Sequence, residues 1–198
     1  MFNRIRSALG GREAEAPDHE RLRGAFRTDA GMLCLWRPAA FAAVVDYDTW
    51  DRELGDDADI LRHIAAGDFV PINIGADGAF EIEVRVGSAD FPAAPSERER
   101  SYLEVSSQPY RFTCDGELRL SGVEHVYGTP DGNVGRLDVV PGEHAVVVHL
   151  VGWDREPGML TAAGTPSPEA LPDFVVTVNP AAQPTAFRTH LETFDRSP

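Results

Sequence analysis

The feature that most constrains the fold is a dense β-branched run, E-H-A-V-V-V-H-L-V-G-W-D, at Glu143–Asp154. Valine loses rotamer freedom in a helix and packs well on a pleated sheet, so the run predicts a strand. Apolar residues occupy both of its alternating faces, which is typical of a strand covered on both sides, and we therefore expect it at the centre of a sheet. The turn pair Pro141-Gly142 and the apolar run Leu137–Val140 precede it, which predicts a hairpin.

Two further hairpins are predicted from apolar segments that flank strong turn signals. Phe69–Ile74 and Ala79–Val86 flank G-A-D-G, and Tyr110–Cys114 is followed by Asp115-Gly116 and Leu118–Leu120. Within Ala79–Val86 the apolar and charged residues alternate, which predicts a sheet with one face in water. Other short strands are predicted at Met32–Trp36, Tyr102–Val105, Val123–Tyr127 and Phe174–Val178.

The clearest helix is predicted at Asp57–Ala66, with Asp56 or Asp57 as its N-cap and Gly67 at its end. Because short strands dominate, we expect a mainly β fold, α+β at the margin. It would be an antiparallel β-sandwich or partly open barrel with one or two short helices near the N-terminus. We expect a flexible N-terminal arm at 1–28, a single β-rich domain at 29–180 and a C-terminal tail at 181–198.

The composition excludes several kinds of chemistry. The 198 residues contain 32 acidic residues and 18 basic ones, every one an arginine, which gives a net charge of −14. Without lysine there is no Schiff base, no covalent pyridoxal-phosphate attachment and no phosphate-loop lysine. The negative charge argues against binding to nucleic acid and to anionic lipid. It permits a basic protein partner, and solubility alone is the other interpretation.

The two cysteines and the apolar runs bear on location. Cys34 and Cys114 lie far apart inside apolar segments, which predicts buried reduced thiols. No apolar run reaches the roughly 18–20 residues of a membrane span, so no stable membrane insertion is expected. The N-terminus lacks the continuous apolar core of a secretory signal. We therefore expect a cytoplasmic protein.

The motif V-V-D-Y-D-T at Val44–Thr49 resembles the first motif of haloacid-dehalogenase-like phosphatases. The resemblance implies Asp46 as nucleophile and Asp48 as acid in Mg²⁺-assisted phosphoryl transfer. That family also uses a downstream basic residue, usually lysine, and a doubly wound parallel sheet. This chain has no lysine and predicts antiparallel strands, so the acidic segment is interpreted instead as a surface. We expect no catalytic residues, no metal and no cofactor.

The preferred hypothesis is a non-enzymatic binding protein whose acidic segment meets a basic partner such as a toxin. Aromatic residues flanked by carboxylates are typical of interaction surfaces. The predicted binding residues are Asp46, Tyr47, Asp48, Trp50, Asp51, Asp56, Asp57 and Asp59. The alternative is a small-molecule hydrolase or metal-assisted enzyme that uses a pocket in the β scaffold, with the candidate pocket residues His149, Trp153 and Asp154.

The order of segments between Tyr102 and Trp153 carries a resemblance to a known class. L-E-V-S-S-Q-P-Y-R-F is followed by a D-G turn and then by V-P-G-E-H-A-V-V-V-H-L. This order resembles uncharacterised bacterial β-rich proteins found near polymorphic-toxin loci, some of which are taken to be immunity proteins. The resemblance implies an immunity-like role and carries over no functional residues.

Overall fold

The computed structural model describes residues 20–129, 132–181 and 186–194. Within these ranges ten strands and three helices alternate with short 3-10 turns. The strands are β1 Arg21–Thr28, β2 Met32–Trp36, β3 Phe69–Asn73, β4 Gly78–Val86, β5 Leu103–Ser106, β6 Tyr110–Cys114, β7 Glu117–Gly122, β8 Gly135–Asp138, β9 Gly142–Val151 and β10 Phe174–Pro180. The helices are α1 Tyr47–Leu54, α2 Asp57–Ala66 and α3 Glu97–Arg100, and the 3-10 turns are Pro38–Phe41, Val123–His125 and Trp153–Arg155.

The strands form two sheets that pack face to face. The first has the order β1-β4-β10-β9, and β5 and β6 follow one another along the far edge of β9. The second has the order β3-β2-β7-β8. Neither sheet closes into a barrel, so the predicted mainly β sandwich is confirmed. All pairings between the ten described strands are antiparallel except that of β4 with β10, which is parallel.

β9 occupies the centre that its valine-rich sequence predicts. It pairs with β10 on one edge and with β5 and β6 on the other. Val146, Val148 and Leu150 are buried in the core between the sheets. Val151, on the opposite face, packs with Trp153, so the end of the strand is covered on both sides. The strand prediction is therefore confirmed.

The three predicted hairpins are wrong, although their strands exist. In each case the two strands belong to different sheets: β3 and β4, β6 and β7, and β8 and β9. Turn residues reverse the chain, but at the edge of a sandwich the same turn carries it from one sheet to the other. The predicted strand at Val123–Tyr127 is also wrong, because Val123–His125 forms a 3-10 turn.

The chain boundaries differ from the predicted ones. Residues 21–28, assigned to a flexible arm, form β1 and pair with β4 along eight residues, while the predicted arm at 1–19 lies outside the described residues. In the predicted tail, Phe194 is 2% exposed and belongs to the core between the sheets. Both thiols, Cys34 and Cys114, are free and buried, as the sequence predicts.

The outer face of the first sheet contains buried charged side chains. Glu83 was expected to face water, yet it is 3% exposed, and it accepts a hydrogen bond from Arg85 at 2.7 Å. Arg85 also donates to both carboxylate oxygens of Glu99 on α3, which is 2% exposed. A buried ion network thus attaches α3 to this sheet.

Candidate functional site

The acidic segment folds into two short helices, and two of its aspartates cap them. Asp46 accepts the backbone N–H of Thr49 at 2.9 Å, and the Thr49 hydroxyl accepts the N–H of Asp46 at 3.0 Å, which completes a capping box. The Thr49 hydroxyl also donates to the Asp46 carboxylate at 2.6 Å, and this bond and the one from the Thr49 N–H lower the pKa of Asp46. Asp56 accepts the N–H of Asp59 at 3.0 Å and caps α2. The α2 prediction, with Gly67 ending the helix at φ 79°, is confirmed.

An exposed aromatic stack lies at the start of α1. The Tyr47 side chain is 67% exposed, and its ring lies 6.0 Å from that of Trp50 with an interplanar angle of 24°. The Trp50 indole N–H donates to the carbonyl of Val123 at 2.9 Å. Val45, next to the helix, is 71% exposed. The stack is thus an apolar surface attached to the sandwich through one partly buried indole.

The carboxylates around this stack are not equivalent. Asp59 forms an ion pair with Arg62 at 3.2 Å, and Arg62 also contacts Glu53 at 3.2 Å. Within the described residues, Asp48, Asp51 and Asp57 are exposed and form no ion pair. The predicted residue Asp59 is therefore already paired with a cation of its own chain, which it shares with Glu53. We define the acidic helical surface as Val45, Tyr47 and the exposed aspartates of this region: Asp46, Asp48, Asp51, Asp56 and Asp57. Arg52 is also exposed on α1, so the surface carries one cation among these carboxylates.

The arrangement implied by the phosphatase-like motif is not formed. Val44 and Val45 lie outside any strand, and Asp46 begins a helix instead of ending a strand of a parallel sheet. The side chain of Asp46 is engaged by Thr49 within its own helix. Throughout the described ranges, no group of three or more His, Cys, Asp and Glu side chains is placed to hold a metal ion.

The alternative pocket residues His149, Trp153 and Asp154 differ in burial and in their hydrogen-bond partners. His149 is 8% exposed, with Nδ1 2.8 Å from the Ser106 hydroxyl and Nε2 3.5 Å from that of Thr177. Burial lowers its pKa to about 4, so the ring is neutral near pH 7. Trp153 donates to Asp173 at 2.8 Å, whereas Asp154 is exposed on the 3-10 turn. His149 is a buried hydrogen-bonded imidazole of the sheet.

Sequence reasoning missed several residues that shape the exposed surfaces. Val45 occupies the position before the N-cap and Trp50 the fourth helical position, which is the hydrophobic-staple pattern of a helix start. The spacing of Val45 and Trp50 around Asp46 is visible in the sequence and could have predicted the start of α1. The pairing of Glu53 with Arg62 spans two helices, and it follows from their packing instead of from a local pattern.

Within the described part of the chain, no helix is long and apolar enough to cross a lipid bilayer.

Comparison with known proteins gives a fold likeness. No protein-family model matches the sequence, and no curated protein matches it either. The solved structure of "Crocagin biosynthetic gene J" resembles the chain with a TM-score of 0.55 and 17% identity, covering 83% of this chain and 98% of that one. At that identity the likeness shows the fold alone.

A second solved structure is more distant. It is ComJ from Bacillus subtilis, described as an inhibitor of the DNA-degrading activity of NucA. The TM-score is 0.43 and the identity 9%, covering 81% of this chain and 96% of ComJ.

Proposed function

We propose that this protein is a non-enzymatic binding module that captures a basic protein partner, such as a toxin, through the acidic helical surface. The observation that carries the proposal is the exposed stack of Tyr47 on Trp50. Aromatic side chains supply large contact area at interfaces, and Trp and Tyr are the most frequent residues at which truncation strongly weakens binding. The indole hydrogen bond to Val123 orients Trp50 and the ring stacked on it, so less ordering remains to be done on binding.

The charges around the stack set the kind of partner. Asp48, Asp51 and Asp57 are exposed carboxylates without an ion pair in the described residues. Arginine or lysine side chains of a partner can pair with these carboxylates, because no cation of this protein already does so in the described residues. Charges at the rim of an interface act mainly on the rate of association and on the choice of partner. The net charge of −14 extends this attraction beyond the contact itself.

The test begins with a photo-crosslinking amino acid in place of Val45, which is 71% exposed, expressed in cells of the source organism. The matched control carries the same group in place of Leu160, which is 51% exposed on a distant loop. We expect a basic protein to crosslink at position 45 and not at position 160. Equal crosslinking at both positions, or an acidic product, would contradict the proposal.

The captured protein then serves as a purified ligand for titration calorimetry. Tyr47→Ala is expected to weaken binding about 30-fold, which corresponds to about 2 kcal/mol for a central aromatic contact. The double variant Asp48→Arg/Asp51→Arg is expected to slow association at least tenfold in low salt. Asp77→Arg/Asp90→Arg makes the same charge change at two other exposed positions and is the control. Equal loss in both double variants would show that net charge alone attracts the partner.

A further inference from the structure

A cavity of about 400 Å³ opens beside the last residues of β1. It is lined by Ala25–Arg27 and Asp29 on one side, by Glu124-His125, and by residues 132–135 on the other. Pockets that hold small ligands or peptide side chains have volumes of roughly 300–1,000 Å³. Because Phe26 and Arg27 point to opposite faces of β1 and both line the cavity, it lies along the edge of the strand. We call it the β1 cleft.

The edge of β1 at this cleft has unpaired backbone groups. β1 pairs with β4 on one side only, and no other described strand pairs with it. The N–H of Val86 donates to the carbonyl of Glu20 at 2.9 Å, which fixes the alternation of the ladder. Even-numbered residues of β1 therefore bond to β4, and the backbone groups of Arg21, Arg23, Ala25 and Arg27 point to the free edge.

Two opposite charges in the cleft have no charged partner among the described residues. Arg27 and Asp29 both line it, and neither forms an ion pair there. Arg27 lies in β1, and Asp29 follows the last residue of the strand, where the chain bends. The carboxylate of Glu124 is already occupied, because it accepts the Asp29 N–H at 2.8 Å and the Thr28 hydroxyl at 3.1 Å. These bonds fix the wall of the cleft and leave Arg27 and Asp29 for a ligand.

We propose that the β1 cleft binds an extended peptide segment of a partner protein, which adds to β1 as a further antiparallel strand. Such a segment bonds through its backbone to Ala25 and Arg27, and side chains on alternate residues select it. A carboxylate opposite Arg27 matches one unpaired charge, and a cation just beyond the end of the strand matches Asp29. The expected ligand is therefore an extended segment with an acidic and a basic residue two positions apart.

A second copy of this chain fits the same edge poorly. Antiparallel pairing of β1 with itself around Gly24 places Arg21 of each copy opposite Arg27 of the other. Like charges directly opposite one another destabilise a strand pair. The site is separate from the acidic helical surface, and the inference stands independently of the proposed function.

The test uses the full-length protein and a synthetic peptide, acetyl-T-K-T-E-T-V-amide, followed by backbone amide NMR shifts. With glutamate opposite Arg27, valine falls opposite Ala25, and lysine lies just beyond the end of β1, on the side of Asp29. We expect shifts at Ala25 and Arg27 with half-saturation at about 1 mM or below. No shifts there at several times this concentration, or formation of a β1-paired dimer, would overturn the proposal.

Backbone methylation of the peptide separates strand addition from mere charge attraction. N-methylation of the glutamate and valine amides removes the two peptide N–H donors that point to β1, and we expect about tenfold weaker binding. N-methylation of the two threonine amides that flank glutamate blocks groups that point away from β1, and it should change binding much less. Equal effects of the two methylated peptides would refute strand addition.

Two protein variants complete the test. Ala25→Pro removes an N–H that points to the free edge and takes no part in the β1–β4 ladder, so the fold should persist. Peptide binding should fall at least fivefold. Arg27→Gln leaves the backbone unchanged and should weaken binding of the peptide up to fivefold. A peptide in which glutamine replaces the glutamate should bind the wild type and Arg27→Gln with the same affinity. Wild-type affinity in both variants would overturn the proposal.

Discussion

Replacement of Glu99 by alanine tests how the buried ion network stabilises the fold. Glu99 is 2% exposed and accepts two hydrogen bonds from Arg85, at 2.7 and 2.6 Å, and one from the N–H of Ser96 at 2.6 Å. Hydrogen bonds to charged groups contribute roughly 1.5–3 kcal/mol each, and removing one member of a buried pair typically costs about 3–5 kcal/mol. Arg85 keeps its bond to Glu83, so we expect the lower end, about 3 kcal/mol.

The measurement is urea unfolding followed by tryptophan fluorescence. With a denaturant slope of about 2 kcal/mol/M, a loss of 3 kcal/mol lowers the midpoint by about 1.5 M. The control is Glu81→Ala on the same sheet, since the Glu81 side chain is 44% exposed and its ion pair with Arg23 lies in water. An exposed pair contributes about 0–1 kcal/mol. A loss in Glu99→Ala no larger than in Glu81→Ala would refute the reasoning.

The pH dependence gives a second check on Glu99. Burial raises the pKa of Glu99, but hydrogen bonds from Arg85 and from the Ser96 N–H outweigh burial and lower it. A carboxylate with a lowered pKa stabilises the fold above its unfolded pKa of about 4.3, and this contribution is lost as the pH falls through the folded value. The difference in unfolding free energy between wild type and Glu99→Ala should therefore shrink below about pH 4.

Three further perturbations follow from the same contacts. Asp56→Ala removes the α2 cap and should lower the unfolding free energy, measured by thermal unfolding, by about 1 kcal/mol. The control Asp57→Ala, one residue later, should change it by less than about 0.5 kcal/mol. His149 has a folded pKa of about 4, below the ordinary value of about 6.5, so the unfolded chain binds more protons between these values and stability falls as the pH drops. His149→Gln should flatten this part of the stability curve, and an unchanged slope would contradict it. Phe41→Ala should cost about 3–5 kcal/mol in urea unfolding, because the ring is fully buried among other aromatic side chains.

The positions of most strands were predictable because their signals are local. The valines of β9 and the alternation in β4 reflect burial of the residue itself and of its near neighbours. The choice of sheet was not predictable in this way. β4 and β10 pair in parallel, with Phe174 opposite Ile82. No turn signal could predict this pairing, because the two strands are far apart in sequence. Assignment of each strand to a sheet depends on contacts formed only when the sandwich assembles.

The candidate site was predictable to a similar extent. The N-cap role of Asp56 follows from its place before a helical pattern. The pairing of Asp59 with Arg62 is local to α2, but the sharing of Arg62 with Glu53 requires α1 and α2 to lie side by side. The buried carboxylate of Glu83 likewise contacts Arg21 and Arg23 of β1, at 3.8 and 3.6 Å. Where a charged residue meets a partner from another element, its exposure depends on packing and not on its own strand or helix.

The 3-10 turn Val123–His125 connects the two proposed surfaces and offers a way to separate them. Its first carbonyl accepts the Trp50 indole N–H at 2.9 Å, and its next two residues line the β1 cleft. Trp50→Phe keeps an aromatic ring but removes this bond, at a cost of about 1 kcal/mol. Because the turn supports both surfaces, we expect weaker binding of both the basic partner and the peptide.

Tyr47→Ala is the matched comparison, since the Tyr47 ring stacks on Trp50 and has no described contact with the turn. It should weaken binding of the basic partner while the peptide titration stays unchanged. If Trp50→Phe also leaves the peptide titration unchanged, the turn keeps its position without the indole bond, and the two surfaces are mechanically independent.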